Sequence, residues 1–323
     1  MRNGLVVSVG FFLMCAGAIA QGDVMMLLNP NPNTEQLILN EELSGAETVR
    51  AGNQGDSFGL MENQLSLRYA LKLEDDKEFY LMLDTIWIDI DSRGRLDGSQ
   101  ERVPNDLYDV GVGLMFRTSV HETWKLGGTV KVGSASDHLF HSSEEWYLRS
   151  ILFLQVPHLK YTSWVFVASI DTDREYPILP GFGYGFPLSE QTYVVLGIPF
   201  AGAAGRIGEK FSFQVSYWPL RNAYGEIAYD VTDRITAYGG FRWREIYFSR
   251  SDRDDSDDRI VLEDLRAFVG VRFSLTERAS LDAKGGFIFS REISEGEDFD
   301  ELDDNALDID DAWFGSLALN VRF

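Results

Sequence analysis

A single cysteine, Cys15, is all the thiol chemistry available to this chain of 323 residues. Without a second cysteine there is no disulfide framework, and once the first twenty residues are set aside there is no thiol nucleophile. Long apolar runs are also missing. After residue 20 nothing approaches the ~20 consecutive apolar residues that a membrane helix requires, so any crossing of a membrane falls to strands. Positive charge is scarce as well, with 29 Lys and Arg against 51 Asp and Glu and a formal net charge of -22. That balance argues against nucleic acid as a partner, because phosphate recognition needs Lys and Arg clustered on one accessible face.

What is present begins with Arg2 and an apolar run from Leu5 to Ala20 that ends in Ala18-Ile19-Ala20. A positive start, an apolar middle and a small-residue end form a secretory signal peptide. The sequence therefore predicts a signal peptide over 1–20, an N-terminal periplasmic stretch over 21–56 that can include a first strand, and a single β-domain over 57–323. The acids pile up in "RSDRDDSDDR" (250–259) and "EGEDFDELDDNALDIDD" (295–311), which read as solvated loops.

Between the acid runs, alternation dominates. Leu65, Leu67, Tyr69, Leu71 and Leu73 oppose Gln64, Ser66, Arg68, Ala70 and Lys72; Val110, Val112, Leu114 and Phe116 oppose Gly111, Gly113, Met115 and Arg117. A period of two with unlike faces means strands of a sheet with two different sides. The stripes run about ten residues, the length a tilted membrane strand needs, and longer than the ~5 to 6 of soluble strands. Turns with a shared look at 73–79, 119–126, 188–194, 230–237 and 274–281 alternate with longer acidic or Gly-rich connections, among them 200–209. Short turns on one rim and long loops on the other describe a transmembrane antiparallel up-and-down β-barrel, all-β, here of 12 to 14 strands. The count turns on 210–230, read either as one strand bulged at Pro219 or as a hairpin at "WPLRNA", and on whether "TEQLILN" (34–40) supplies a first strand.

The last strand carries Trp313, Gly315, Leu317, Leu319, Val321 and Phe323 on one face. This stripe resembles the C-terminal recognition signal of outer-membrane β-barrel proteins, which implies that it serves insertion by the barrel-assembly machinery. The Pro and Gly placement in "YPILPGFGYGFPLSEQTYVVLGIPF" (176–200) is similar to that of an outer-membrane β-barrel family known as a domain of unknown function. These resemblances imply a porin-like barrel in the outer membrane of a Gram-negative-type bacterium, in contact with lipid and lipopolysaccharide, and bring no catalytic motif.

Continuing the alternation places Arg68, Lys72, Arg117, Lys125, Lys131, Arg149, Arg242, Arg244, Arg266, Arg272, Lys284 and Arg322 on the inward face, opposed by few acids, Asp84, Glu226 and Asp282. A basic interior predicts a passive channel for anionic or zwitterionic small solutes, with no cofactor and no metal. Two other readings stand beside it. A lipid-modifying enzyme would use His138 or His141 with Ser142, Ser143, Glu144 and Glu145, although a solvated loop holds a triad poorly. A structural or surface-interaction barrel would pack these charges against each other. "DIDSRGRLDG" (89–98) has acids at calcium-loop spacing, but Arg93 and Gln100 stand where ligands belong. Aromatics including Trp87, Trp124, Trp146, Trp164, Trp218, Tyr247 and Trp313 are expected to form interfacial girdles.

Overall fold

A computed structural model of the chain describes residues 35–323 except 53–55, 75–76, 97–100, 122, 175, 219–221, 254, 256–257, 298–301 and 303–304. The signal peptide and most of the N-terminal stretch fall outside the described residues. The strands are Leu37–Ala51 (β1), Asp56–Glu74 (β2), Lys77–Ser92 (β3), Asp106–Ser119 (β4), Lys125–Ser136 (β5), Trp146–Pro157 (β6), Ser163–Asp171 (β7) and Ile178–Ser189 (β8). There follow Thr192–Ile198 (β9), Ala201–Ile207 (β10), Phe211–Trp218 (β11), Asn222–Thr232 (β12), Ile235–Phe248 (β13), Arg259–Ser274 (β14) and Ala279–Gly296 (β15). The last strand, β16, runs in two segments, Ala306–Ile309 and Ala312–Arg322.

Each strand pairs antiparallel with the next, and β16 returns to β1 in a register running from Ile38↔Arg322 to Ala46↔Phe314. The sheet is thus a closed barrel in which every strand has a paired neighbour on both sides, the condition for standing in hydrocarbon.

Sixteen strands replace the 12 to 14 expected. One addition is β1, which begins within the 34–40 segment offered as a first strand and extends it to Ala51. The 210–230 segment is two strands, paired from Phe211↔Tyr229 to Trp218↔Asn222, with the proposed bulge at Pro219 outside the described residues. The third is β10, taken from the sequence as a Gly-rich loop. Its first five residues, AGAAG, carry no apolar alternation because both faces there are lined by small side chains. With β10 counted, the seven connections that begin with 75–76 and end with 275–278 span two to five residues each and lie on one rim with both chain ends, while the short connections 199–200 and 219–221 belong to the opposite rim. The longer ones, such as 93–105, 137–145 and 249–258, lie on that opposite rim too.

Side chains obey the inversion that the alternation implied. Val269 is 70% exposed and Leu114, Phe166, Phe182 and Leu317 also face outward, whereas Glu62, Lys131, Arg244 and Asp264 are buried inside. Trp313, Leu319, Val321 and Phe323 occupy the same outer face of β16. The long strands then reverse the rule. On β3, Leu81, Leu83 and Trp87 point out below, but above Trp87 the outward residues are Asp89 and Asp91 while Ile86, Ile88 and Ile90 turn in. These two acids belong to a strand, not to a cation-binding loop. The 19, 16 and 18 residues of β2, β3 and β15 exceed the ~9 to 11 a membrane strand needs, and the surplus stands in water, where the apolar side belongs inside. There Ile88, Ile90, Leu107, Phe248, Ile260 and Leu262 pack into an apolar core under the long loops.

Three placements differ from the alternation. A bulge between Ala70 and Lys72 turns Lys72 outward, where its Nζ meets Glu74 at 3.0 Å. Trp218 points inward onto Phe200, ring centroids 5.7 Å apart, and Tyr247 is buried under the Arg174 guanidinium, so neither joins a girdle. Replacing Val269 by Arg should cost about 2–4 kcal/mol of stability in urea titrations of the barrel folded into lipid vesicles, whereas Asp91→Arg, beyond the lipid band, should cost about 1 kcal/mol or less.

Candidate functional site

The lumen is charged along one side and apolar along the other. From β5 to β10 the inward residues include Ile151, Phe153, Val165, Val167, Val195 and Ala204, which form one cluster with Met82 and Met115. Strands β7 and β9 are therefore apolar on both faces, which a two-state alternation does not anticipate. Opposite them lie the guanidinium and carboxylate side chains of β12–β16 and β1–β4.

Most of the predicted cations meet an acid. Arg117 Nε donates to Glu78 at 2.6 Å, Lys284 Nζ lies 2.7 Å from Glu42, and Arg272 lies 3.0 Å from Asp282 and 3.8 Å from Glu226. Arg149 bridges Asp109 at 2.5 Å and Asp173 at 2.8 Å and stacks 3.9 Å over Tyr147, whose hydroxyl also donates to Asp109. Lys131 stands 3.9 Å from Asp84. Arg68 and Lys125 are half-buried toward the short-turn rim, and Arg322 approaches Glu35 at 4.0 Å.

The expectation of few inward acids is overturned. Glu42, Glu62, Glu78, Asp109 and Asp264 also face inward, since desolvating so many guanidinium groups requires compensating charge. Glu62 lies just before the Gln64–Leu73 stripe from which the alternation is read.

At mid-height Arg244 donates to both oxygens of Glu62, at 2.6 and 2.7 Å, and to Asp264 at 3.0 Å. Arg266 reaches Asp264 at 2.7 Å and Glu62 at 3.3 Å. This lattice joins β2 to β13 and β14 across the interior. Arg242 sits directly opposite Arg266 in the ladder, two residues from Arg244. Three guanidinium groups thus share two carboxylates. Arg242 carries the surplus: it is 7% exposed, and among the described residues it has no hydrogen bond and no carboxylate within 4.0 Å. Arg291, absent from the sequence-predicted set, is a second such group, 2% exposed with all three guanidinium nitrogens unbonded. The sequence hid it because Ser290, at φ 49°, marks an irregularity in the β14–β15 register that shifts the alternation of β15 by one residue.

Three cavities follow one another through this charged half. The first, about 120 Å³, is lined by Met82, Ile151, Trp218, Lys131, Arg149 and Arg242 among others. A second, about 20 Å³, shares Arg242 with it and adds Arg266, Arg272, Lys284 and Glu226. The third, about 490 Å³, shares Glu226 and Arg272 with the second and reaches Thr232 and Asp233 in the β12–β13 turn. The series runs from mid-barrel to the short-turn rim.

The loop histidines form a different arrangement. His138 Nδ1 lies 3.1 Å from Ser251 Oγ and 3.2 Å from Asp137, and Ser251 donates to Asp137 at 3.1 Å. Base and orienter would need opposite ring nitrogens for a triad, so this is a clasp between two loops. His141 uses its backbone N–H to reach Glu145 at 2.7 Å. Among the described residues no group of three or more His, Cys, Asp or Glu is placed to hold a metal ion.

No protein-family model matches the chain, and no curated protein sequence does. Among solved structures it is similar to the COG4313 outer membrane channel from Pseudomonas putida F1, at 10% identity over 91% of this chain and 97% of that one, TM-score 0.40. It is also similar to the P. putida toluene transporter TodX, at 12% identity over 92% and 93%, TM-score 0.40. A third is the translocator domain of autotransporter NalP from Neisseria meningitidis, at 11% identity over 93% and 92%, TM-score 0.37. The chain is a transmembrane β-barrel.

Removing one member of the lattice should be costly. Arg244→Met leaves two buried carboxylates on Arg266 alone and should destabilise the folded barrel by about 3–5 kcal/mol. Adding Glu62→Gln should restore part of that loss, read from the same urea midpoints as a double-mutant cycle.

Proposed function

We propose that this barrel is a passive transport protein of a Gram-negative-type outer membrane, with a lumen that passes small anionic or zwitterionic solutes. The observation that carries the reading is Arg242, an unpaired buried guanidinium at the junction of two cavities that continue to the short-turn rim. A buried cation with no carboxylate within 4.0 Å attracts an anion more strongly than it would in bulk water, while the neighbouring ion pairs leave the rest of the wall close to neutral. Selectivity in this reading comes from one residue and not from a uniformly basic wall. Lipid and lipopolysaccharide are the surroundings of the apolar band, and the stripe ending at Phe323 is what the barrel-assembly machinery would take up by strand addition. No cofactor is needed.

The apolar core under the long loops favours a second reading, a structural barrel closed from side to side. Planar-bilayer recording separates the two. Purified, folded barrel should give discrete conductance steps whose reversal potential in a KCl gradient shows chloride preferred over potassium. Arg242→Glu should move that potential toward cation preference, whereas His141→Ala should leave it unchanged. Well-folded protein that never conducts would favour the structural reading.

A further inference from the structure

The wall is not equally tall all round. Strands β9 and β10 have seven residues each and β11 has eight, against 19 in β2 and 18 in β15. Seven residues tilted by about 40° rise roughly 18 Å, less than the ~25 Å apolar band of a membrane barrel. The register shows where the wall is missing. Phe182 of β8 stands opposite Ile198, the last residue of β9, so Ile178–Gly181 rise above β9 and pair with β7 alone. Within that free edge Pro180 has no N–H to leave unbonded.

This notch is filled from within. Phe200, in the two-residue connection between β9 and β10, is 1% exposed and turns into the lumen, where it lies against the bare backbone of Gly181, Gly183 and Gly197. A Cβ at Gly183 or Gly197 would meet strand backbone first, Leu196 O at 2.8 Å or Phe182 O at 2.6 Å, and would crowd the Phe200 ring at 3.1 or 3.0 Å, so the bare glycines give the ring its seat. Phe200 stacks in turn on Trp218, and Trp218 is a wall of the first cavity, the one that holds Arg242. On the tall side apolar packing and backbone bonds crowd the direct axial route. Phe248 packs there with Ile88 and Leu107, and Ser249 bonds across the lumen to the strand end at Ala135 and Asp137.

We propose that the low wall at β9–β11 is a lateral port from the membrane into the first cavity, shut by Phe200 and Trp218, and that this cavity takes an amphiphilic organic anion. The anionic head sits on Arg242 and the apolar body on Met82, Ile151 and Trp218. The proposal rests on the transport reading above and names its solute class and its door. An inorganic anion would use Arg242 but leave the apolar half of the cavity unexplained. A neutral hydrocarbon would use that half but leave Arg242 unpaired.

The test uses hexanesulfonate, which stays ionised and does not cross lipid unaided, with methanesulfonate as the short control. Uptake into proteoliposomes should favour hexanesulfonate on the order of tenfold, as expected when only two of its additional methylenes are buried, and Arg242→Gln should abolish the uptake. The mature chain is cysteine-free, so Phe200→Cys with Trp218→Cys can be joined by a short, reducible thiol crosslinker. Joining should stop hexanesulfonate uptake, reduction should restore it, and chloride conductance in planar bilayers should survive both. Equal uptake of the two sulfonates, or a crosslink without effect on hexanesulfonate, with chloride conductance intact, would overturn the port and its solute class while leaving the transport reading standing. Loss of every flux and of chloride conductance in the unmodified protein would overturn the transport reading and the proposal with it.

Discussion

The ladder between the first and last strands is the interaction on which the rest depends. In hydrocarbon an unpaired backbone N–H or C=O has no water to turn to, so a sheet is tolerated there only as a ring. Here β1 pairs with β2 on one side and β16 on the other, and the N–H of Leu37 donates to the carbonyl of Phe323 at 3.1 Å. The C-terminal residue thus takes part in the seam itself. Once the ring is closed, each position has one wet and one oily side, and the side-chain pattern follows.

That pattern made much of the fold readable in advance. Alternation, stripe length and unequal connections identified the barrel and the outward residues, because each is a local consequence of a period of two. The strand number was not readable, and the reasons are local too. β10 is built of Ala and Gly, whose faces do not differ, and β1 lies in a segment whose Glu41 and Glu42 fall one on each side of the wall. Trp218 and Phe200 were out of reach for another reason. An aromatic at a strand end reads as an interface residue, and only the glycines facing it on β8 and β9 show that Phe200 has an inward seat.

The charged half shows a related limit. Positions such as Arg117, Arg149, Arg244 and Arg266 could be placed on the inner face one strand at a time. Partners for each of them sit on other strands, as Glu62 does for Arg244, 182 residues away, and Arg266 adds Asp264 of its own strand. A count of bases along a strand therefore overstates the positive field of the lumen. Among the described residues Arg242 and Arg291 are buried guanidinium groups without a hydrogen bond, and Arg242 lines two of the cavities described above.

The reversal of polarity along β3 fixes more than the shape of the outer half. Between Trp87 and Asp89 the outward face passes from an aromatic to a carboxylate within two residues. Sinking the molecule by that distance would drag ionised oxygens below the headgroups, and lifting it would strand indole and leucine in water. The protein carries its own waterline, and a bilayer of another thickness must bend to meet it.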